Sequence, residues 1–365
     1  MRREPRMPES SVVVRPEPKS TASSRLQAAG LAPAIALFER AAEQVVLPKP
    51  PQPIVIADYG AATGHNSLKP LSAAIAVLRR RTRHDHAILV THTDSPENDF
   101  SALFGTLDDD PDSYLQADAA SFTSAIGRSF YGQIVPSKTV NLGWTSWATQ
   151  WVSRIPCEVH DHVHVACSDD DAARAAFADR AAIDWHNFVA FRGRELAPEG
   201  RLVVLTMAVD EDGGCGFAAL LDAIVVALRG QVRSGLLGKD EARRMVIPSV
   251  ARSEKDFRAP FAPSGRFEGL TIDHLETFNG EDRFWSRLQS DDDATAFGDD
   301  WAAFARAALL PALLRGLDGG VRDPRASPFL DHMQAAVAAR LSSAPEPIRI
   351  PLALVMLVKR EQSPS

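Results

Sequence analysis

Residues 54–66 have the sequence IVIADYGAATGHN. The first four residues are a short apolar run, which is typical of a buried strand in a parallel sheet. Gly60 and Gly64 mark a tight turn, and Leu71–Leu78 then has apolar residues at helical spacing. The stretch therefore predicts a strand, a glycine loop and a helix, which is the repeating unit of a parallel α/β sheet.

The alternation of strand and helix patterns continues on both sides of this stretch. One helix is predicted over Leu31–Val46, ahead of the proline-rich connector 48–53, and another over Phe217–Leu228. Apolar runs predict three further strands of the buried kind, at Ala87–Val90, Thr139–Leu142 and Arg201–Met207. The fold class is therefore α/β, with a mostly parallel sheet that has helices on both faces.

Two strand patterns near the end of the chain, Leu270–Phe278 and Ile348–Val358, indicate a closing antiparallel pair. Pro351 is expected to place the second strand at an edge or a bulge, because proline cannot donate to a ladder. The connection that precedes this pair is too long for a simple loop. Residues 211–264 are therefore predicted to form a mainly helical cap.

The domain organisation predicted from these patterns is a core with a cap inserted into it. The core comprises residues 23–210 and 265–360, and whether part of 279–345 joins the cap stays open. Residues 1–22 contain several arginines and prolines and are predicted to be a disordered basic tail.

Composition limits the classes of partner. The formal net charge of −7 gives no electrostatic reason to expect nucleic acid or a membrane surface as the main partner, so a small molecule is expected. The chain has no apolar run of about 18 residues and no apolar signal-peptide core, which predicts a cytoplasmic protein. Its three cysteines form no CxxC pair, which argues against a disulfide framework or a zinc knuckle.

The segment 160–164 resembles a set of metal ligands. His160, His162 and His164 alternate, so on a strand they would share one face. Polar side chains are common at the mouth of a strand without any metal, and we expect none here. The acidic run 291–293 lacks the spacing of a calcium loop and is expected to be solvated.

The loop after the first strand has the pattern Asp-x-Gly-x-Ala-x-Gly from Asp58 to Gly64, which differs from the Gly-x-Gly-x-x-Gly of dinucleotide sites. Small residues there let a ligand approach the backbone closely. Asp58 and Asp94 lie at the ends of successive strand patterns, where a carboxylate can accept the hydroxyls of a ribose. The loop alone fits an ordinary tight turn equally well, but the pair of acids favours an adenosyl ligand without a pyrophosphate.

Four ordered segments carry a resemblance to a known family. They are ADYGAATGHN at 57–66, DSPENDF at 94–100, SFYG at 129–132 and WVSRIP at 151–156. In them the chain resembles the SABATH family, which comprises plant salicylate, benzoate, jasmonate and theobromine methyltransferases and bacterial relatives. The resemblance is co-linear over nearly the whole chain. It implies a Rossmann-like core with seven strands, S-adenosylmethionine as methyl donor with S-adenosylhomocysteine as product, a small carboxylic acid as substrate, no required metal, and a homodimer.

The resemblance also implies roles for particular residues. Gln27 and Trp151 match a pair that holds the substrate carboxylate and positions it for catalysis. Trp147, Gln150 and Tyr131 are implied to contact the substrate. The residues implied to bind the cofactor are Ser24, Asp58, Gly60, Gly64, Asn66, Asp94, Ser95, Ser129 and Phe130.

Within the cofactor set, Asp58, Gly60 and Asn66 are implied to line the methionine end. Asp94 is implied to hold the ribose, and Ser129–Phe130 the adenine. A carboxylate acceptor is already ionised at neutral pH, so in-line methyl transfer to it needs positioning in a dry pocket rather than a general base.

Several residues depart from the family pattern. Ser20 replaces a usual tyrosine, and Arg258 replaces the asparagine usual after Phe257, which weakens the case for the family's occasional metal. Trp147 and Gln150 also differ from the residues usual at their positions in the family, which indicates an altered substrate pocket.

Three functions stay open. The favoured one is a carboxyl methyltransferase of an aromatic, indolic or medium-chain fatty acid. The other two are an N-methyltransferase of a heteroaromatic molecule and a cofactor-binding protein without turnover.

Overall fold

The computed structural model describes residues 30–210 and 212–360, so Ser24, Gln27 and the predicted tail 1–22 lie outside the described residues. The described residues form one sheet of seven strands. The strands are β1 (Ile54–Tyr59), β2 (Ile88–Asp94), β3 (Ser121–Gly127), β4 (Val140–Ser146), β5 (Leu196–Met207), β6 (Leu270–Asn279) and β7 (Pro351–Lys359). Their order across the sheet is β3-β2-β1-β4-β5-β7-β6, with β1 to β5 parallel and β7 antiparallel to both of its neighbours.

The closing antiparallel pair is confirmed, but the position predicted for its second strand is wrong. Strand β7 lies inside the sheet, between β5 and β6. Pro351 is the first residue of the strand, where a missing N–H costs little, and its carbonyl still accepts a hydrogen bond from Ala208. Strand β3 was not predicted, because its sequence SFTSAIG is only partly buried at a sheet edge and lacks an apolar run.

Helices cover both faces of the sheet. They are α1 (Leu31–Gln44), α2 (His65–Arg81), α3 (Phe100–Asp109), α4 (Tyr114–Ala117), α5 (Asp171–Glu195), α6 (Ala218–Arg233), α7 (Lys239–Arg244), α8 (Glu254–Arg258), α9 (Arg283–Asp291), α10 (Ala294–Ala308), α11 (Leu310–Leu313) and α12 (Ala326–Ser343). The acidic run 291–293 is exposed, as predicted, and Asp293 also caps α10 by accepting a hydrogen bond from the N–H of Ala296. No helix of the described ranges combines the length and apolarity needed to cross a bilayer.

The alternation of side chains along β5 divides the core in two. Val203 and Leu205 belong to the apolar cluster that includes α1, α2 and α6, whereas Leu202 and Val204 belong to the cluster around α5. This is the two-residue period of a strand that is buried on both faces. Helices α10 and α12 pack on one another, and α12 also packs on α6. Helices from the connections β5–β6 and β6–β7 therefore form one layer.

Candidate active site

The chain order of the strands creates a crevice between β1 and β4. From β1 the chain builds the sheet outward through β2 and β3, and it then returns to place β4 and β5 on the other side of β1. Loops that follow two strands on opposite sides of such a switch point diverge, which leaves a space at the carboxyl ends of the strands. A cavity opens there, lined by the loops after β1, β4 and β5 and by helices of the overlying layer.

The glycine loop after β1 forms one wall of this cavity. The amides of Gly60 and Ala61 both donate to the carbonyl of Thr93, at 2.7 and 3.0 Å, which turns the chain sharply out of the sheet. Gly64 has a φ of 88°, and a Cβ there would lie 2.8 Å from Leu103 Cδ1. Only glycine therefore fits this position at the start of α2 without displacing its neighbours.

The two predicted acids lie at neighbouring strand tips. Asp58 is opposite His92 in the register of β1 and β2, and Asp94 follows two residues later on the same face. Both carboxylates are buried, at 1% and 2% exposure. Asp58 Oδ2 lies 2.9 Å from His92 Nδ1, whose ring reaches the hydroxyl of Tyr114 at 3.0 Å. This buried series of hydrogen-bonded polar groups was not predicted, although the two-residue period of a strand places His92 and Asp94 on the same face of β2.

The cavity brings together only some of the residues implied by the family resemblance. Its lining residues are Gly60, Ala61, Ala62, Asn66, Ser146, Trp147, Gln150, Trp151, His164, Met207, Phe217, Leu221, Ser249, Phe304, Ala308 and Leu309. The implied residues that do not line it are Asp58, Gly64, Asp94, Ser95, Ser129, Phe130 and Tyr131. The apolar wall from α6 and α10 was missed, because the sequence gives no sign of which helix faces meet across two separate connections.

The segment after β4 supplies the second wall. Trp144, Trp147 and Trp151 have the spacing of a helix face, but no helix forms here: Trp144 lies in β4, Trp147 has a φ of 53° and Trp151 forms an antiparallel bridge with Ser249. The Trp147 indole N–H is buried and has no hydrogen-bond partner among residues 30–210 and 212–360. Gln150 Oε1 accepts from the hydroxyl of Thr206 at 3.1 Å.

Hydrogen bonds from behind hold this segment in place. The Tyr131 hydroxyl donates to the carbonyl of Trp151 at 2.5 Å and lies 3.3 Å from that of Thr149. The buried guanidinium of Arg252 donates to the same Thr149 carbonyl at 2.7 Å and to that of Ala181 at 3.0 Å. The Tyr131 hydroxyl thus contacts the backbone of the cavity wall and does not line the cavity. Arg252 also holds this backbone in place, and the sequence did not indicate that role.

Ser129 and Phe130 lie on the loop after β3. Ser129 is exposed and accepts a hydrogen bond from the N–H of Tyr131 at 3.3 Å. Phe130 is 6% exposed, and its ring is edge-on to Phe188 with centroids 6.0 Å apart. The Phe130 carbonyl accepts from Arg192 at 2.7 Å, so a buried cation fixes this loop.

The three alternating histidines do not converge as metal ligands. They lie outside any strand, in an irregular segment. His160 is exposed, His162 lies 3.4 Å from Asp222, and His164 is buried with Nε2 3.0 Å from Ser249 Oγ. Burial lowers the pKa of His164 to about 4, so its ring is neutral at pH 7.

These features define a Rossmann-like methyltransferase core. They are the strand order with an antiparallel seventh strand, the glycine loop at the switch point and the acids at adjoining strand tips. A family model described as SAM dependent carboxyl methyltransferase matches residues 19–344. The chain belongs to this family, the SABATH methyltransferases. The fold class, the enzyme class and the cofactor S-adenosylmethionine predicted from the sequence are thereby confirmed.

Two curated relatives and one solved structure show the extent of the similarity. Salicylate carboxymethyltransferase of Clarkia breweri is 25% identical over 275 residues, which are 72% of this chain and 74% of that protein. S-adenosyl-L-methionine:benzoic acid/salicylic acid carboxyl methyltransferase 3 of Petunia hybrida is 24% identical over 240 residues, or 62% of this chain and 66% of that protein. The structure of loganic acid methyltransferase with SAH has a TM-score of 0.73 at 17% identity, covering 96% of this chain and 99% of that one, and it supports the fold.

Proposed function

We propose that this protein converts a small carboxylic acid, either aromatic, indolic or a medium-chain fatty acid, to its methyl ester. The observation that carries the proposal is an apolar cavity beside the glycine loop into which neutral hydrogen-bond donors can point. Phe217, Phe304 and Leu309 supply the apolar surface. Trp147, Trp151 and Gln150 supply the polar groups on the opposite wall.

The residues around the glycine loop fit S-adenosylmethionine. Gly60 and Asn66 line the cavity, and Gly60 has a φ of 90°, so its backbone is open to a close approach. Asp94 lies at the tip of the adjoining strand, where it would accept the ribose hydroxyls, and Asp58 would act beside it at the methionine end. We assign Ser95, Gly64, Ser129, Phe130 and Ser24 to the same cofactor site.

The donors on the second wall suit an anionic acceptor. The unpartnered N–H of Trp147 is buried, and a buried donor without an acceptor costs free energy until a ligand supplies one. The Thr206 hydroxyl occupies the carbonyl end of the Gln150 amide, which leaves its NH₂ group to donate. We assign Trp151 and Gln27 to hold the carboxylate directly. These donors are neutral, so they orient a carboxylate without pairing away its charge.

The mechanism requires little acid–base chemistry from the protein. When bound, the cofactor supplies an electrophilic methyl group. The side chains of Trp151 and Gln27 fix the orientation of the acid, and the apolar wall of Phe217 and Phe304 excludes water from its charge. A carboxylate is ionised at neutral pH, so no residue has to remove a proton.

The proposal extends to the protein's setting. We place the enzyme in the cytoplasm as a homodimer that acts on a free small molecule, with neither nucleic acid nor membrane as partner. The net charge of −7 supports the absence of a polyanionic partner, and the family resemblance supports the dimer. Sedimentation of the full chain as a monomer at micromolar concentration would remove the dimer from the proposal.

An acid panel with methyl-labelled cofactor tests the reaction. We expect label in a base-labile ester for at least one aromatic, indolic or fatty acid. Label in a base-stable methylamine would instead assign N-methylation, and cofactor binding with no labelled product would assign a protein without turnover. Either result would overturn the proposed carboxyl chemistry.

The matched variants Trp151→Phe and Trp144→Phe test the site. Both changes remove an indole N–H and keep an aromatic ring, but Trp144 is fully buried in the core and outside the cavity lining. We expect Trp151→Phe to lower kcat/KM for the acid by about tenfold or more, the effect of losing one hydrogen bond to a charged group, while Trp144→Phe keeps it. Gln27→Ala should act as Trp151→Phe does. Equal kcat/KM in the two tryptophan variants would remove Trp151 from the site.

A further inference from the structure

Three side chains with no assigned role in methyl transfer meet at the wall of the cavity. They are His164, Cys167 and Cys215, and one ring nitrogen and the two Sγ atoms all lie within 4.8 Å of one another. Cys167 ends a short 3-10 turn, Val165–Cys167, whereas Cys215 lies far along the chain in the segment that leads into α6. The fold creates this cluster, which is why the spacing of the cysteines did not reveal it.

The cluster is enclosed but reachable. His164 is 1% exposed and Cys215 is 9% exposed, while Cys167 is only half-buried. The Cys215 thiol has a hydrogen bond to the carbonyl of Gly216 at 3.3 Å, and no disulfide joins the cysteines. An entering ion would therefore meet Cys167 first, with the two more deeply buried donors behind it.

The donor set selects one class of ligand. Two thiolates and an imidazole are soft donors that favour Zn²⁺ and its thiophilic relatives over Mg²⁺ or Ca²⁺. In a tetrahedral site with bonds of about 2.0–2.3 Å, neighbouring donors are separated by about 3.5–3.8 Å. The donors here lie within 4.8 Å, so small side-chain rotations would bring them to that spacing.

The hydrogen bonds of His164 prepare its ring for such a role. Its Nδ1 accepts from the N–H of Ala166 at 3.2 Å, which assigns the proton to Nε2, and Nε2 then donates to Ser249 Oγ at 3.0 Å. A metal-binding histidine commonly donates its other N–H to a partner in this way. An ion at Nδ1 would replace only the contact with Ala166.

We propose that His164, Cys167 and Cys215 form a binding site for one thiophilic divalent cation, of which Zn²⁺ is the physiological candidate. Binding releases the two thiol protons as two metal–sulfur bonds form. The ion joins the 3-10 turn to the segment that precedes Phe217, a residue of the cavity wall. The site stabilises that wall, and its ligand His164 also lines the cavity. None of its three donors is assigned to the cofactor or the carboxylate, and the proposal does not depend on which acid is methylated.

Titration of the reduced full chain with Cd²⁺ or Zn²⁺ tests the site. With Cd²⁺ we expect sulfur-to-metal charge-transfer absorbance that saturates at one ion per chain, and with Zn²⁺ a rise in the melting temperature. Cys167→Ser and Cys215→Ser should each weaken binding at least tenfold. Cys157→Ser is the matched control, because Cys157 is the third cysteine and lies outside the cluster, and it should bind as the parent does.

Three results would overturn the proposal. The first is the absence of one-to-one charge transfer in the reduced chain, and the second is equal weakening by Cys157→Ser. The third is retention of Cd²⁺ affinity by Cys167→Ser. If the variant at the more buried Cys215 does not fold, the result for Cys167→Ser is sufficient to test the proposal. A disulfide between Cys167 and Cys215 that forms with peroxide in a chain that binds no Cd²⁺ when reduced would assign the pair to thiol oxidation instead.

Discussion

The carboxylate of Asp94 accepts a hydrogen bond of 2.8 Å from the backbone N–H of Ala62, so the tip of β2 is joined to the glycine loop after β1. The carbonyl of Ala62 accepts in turn from the Asn98 side chain at 2.9 Å. Ala62 has a φ of 49°, which is unfavourable for a residue with a Cβ. The loop therefore keeps its shape through side chains at the end of β2 and just after it, and not through its glycines alone.

Replacement of Asp94 should weaken cofactor binding for two reasons. Asp94→Ala removes the acceptor for the N–H groups of Ala62 and Ser95, and it removes the carboxylate proposed for the ribose. We expect the Kd for S-adenosylhomocysteine, measured by calorimetry, to rise at least tenfold, or about 1.4 kcal/mol.

Asp99→Ala is the control for this change. Asp99 is exposed and caps α3 in the same segment, so its loss should cost about 1 kcal/mol of stability without changing the Kd. Unchanged affinity in Asp94→Ala would remove Asp94 from the cofactor site.

Tyr131 was predicted to contact substrate, and its observed bonds to the Trp151 and Thr149 carbonyls give a different prediction. Tyr131→Phe leaves a carbonyl behind the cavity wall without its donor, a cost of about 1–3 kcal/mol. We expect kcat/KM for the acid to fall about tenfold or more, with cofactor affinity within twofold of the parent value. Steady-state kinetics and calorimetry check the two parts, and a loss of cofactor affinity as large as the kinetic loss would contradict the positioning role.

Strands and the glycine loop could be predicted from the sequence because both are local patterns. The run Ile54–Ala57 is apolar because its strand is covered on both faces. The backbone at position 64 has a positive φ, which requires glycine, and the glycine is visible in the sequence. The half-exposed edge strand β3 has no such run. The position of β7 inside the sheet was not predicted, because a proline at the first residue of a strand cannot be distinguished in the sequence from a proline in an edge strand.

In the candidate site too, the residues of a local motif could be predicted from the sequence and those brought together by the fold could not. Gly60 and Asn66 lie in one continuous motif, and both line the cavity. Phe217 and Phe304 come from different connections, and their rings stack with centroids 6.1 Å apart only because α6 and α10 meet above the sheet. Periodicity identifies the buried face of each helix but not the partner of that face, so the apolar wall of the cavity could not be predicted from the sequence.

A fully buried ion pair should dominate the stability of the loop after β3. Arg192 and Glu195 are both unexposed, and Glu195 also accepts from the Tyr59 hydroxyl at 2.9 Å and from the backbone of Ile134. Arg192→Met leaves this carboxylate buried without its cation, so we expect a loss of about 3–5 kcal/mol in the free energy of unfolding by urea denaturation.

Two further variants isolate that effect. Arg192→Met combined with Glu195→Gln removes both charges and should recover part of the loss. Arg194→Met breaks an ion pair with Glu268 whose arginine is half exposed, so it should change stability by less than about 1 kcal/mol. A similar loss in the two single arginine variants would refute the distinction between buried and exposed pairs here.

Acid should weaken the attachment of α7 to the start of α12. Glu241 accepts two hydrogen bonds from Arg325, at 3.0 and 2.5 Å, and one from the backbone N–H of each of Gly238 and Asp318, at 2.9 and 3.1 Å. The hydrogen bonds from Arg325 lower the pKa of Glu241 from 4.5 to about 2. The folded state therefore binds a proton less readily than the unfolded chain, and this stabilisation is complete above pH 4.5 and is lost as the pH falls toward 2.

Glu241→Gln tests this origin of the acid sensitivity. The variant has no carboxylate to protonate at this position, so it should be less stable than the parent at pH 7 but should lose less additional stability between pH 4.5 and 3, as followed by urea midpoints. Asp240→Asn is the control, because that side chain is 84% exposed and its pair with Arg243 contributes little. Its midpoints should follow those of the parent across the whole range. If Glu241→Gln were as sensitive to acid as the parent, other carboxylates would account for the loss, since a glutamine cannot respond to pH over this interval.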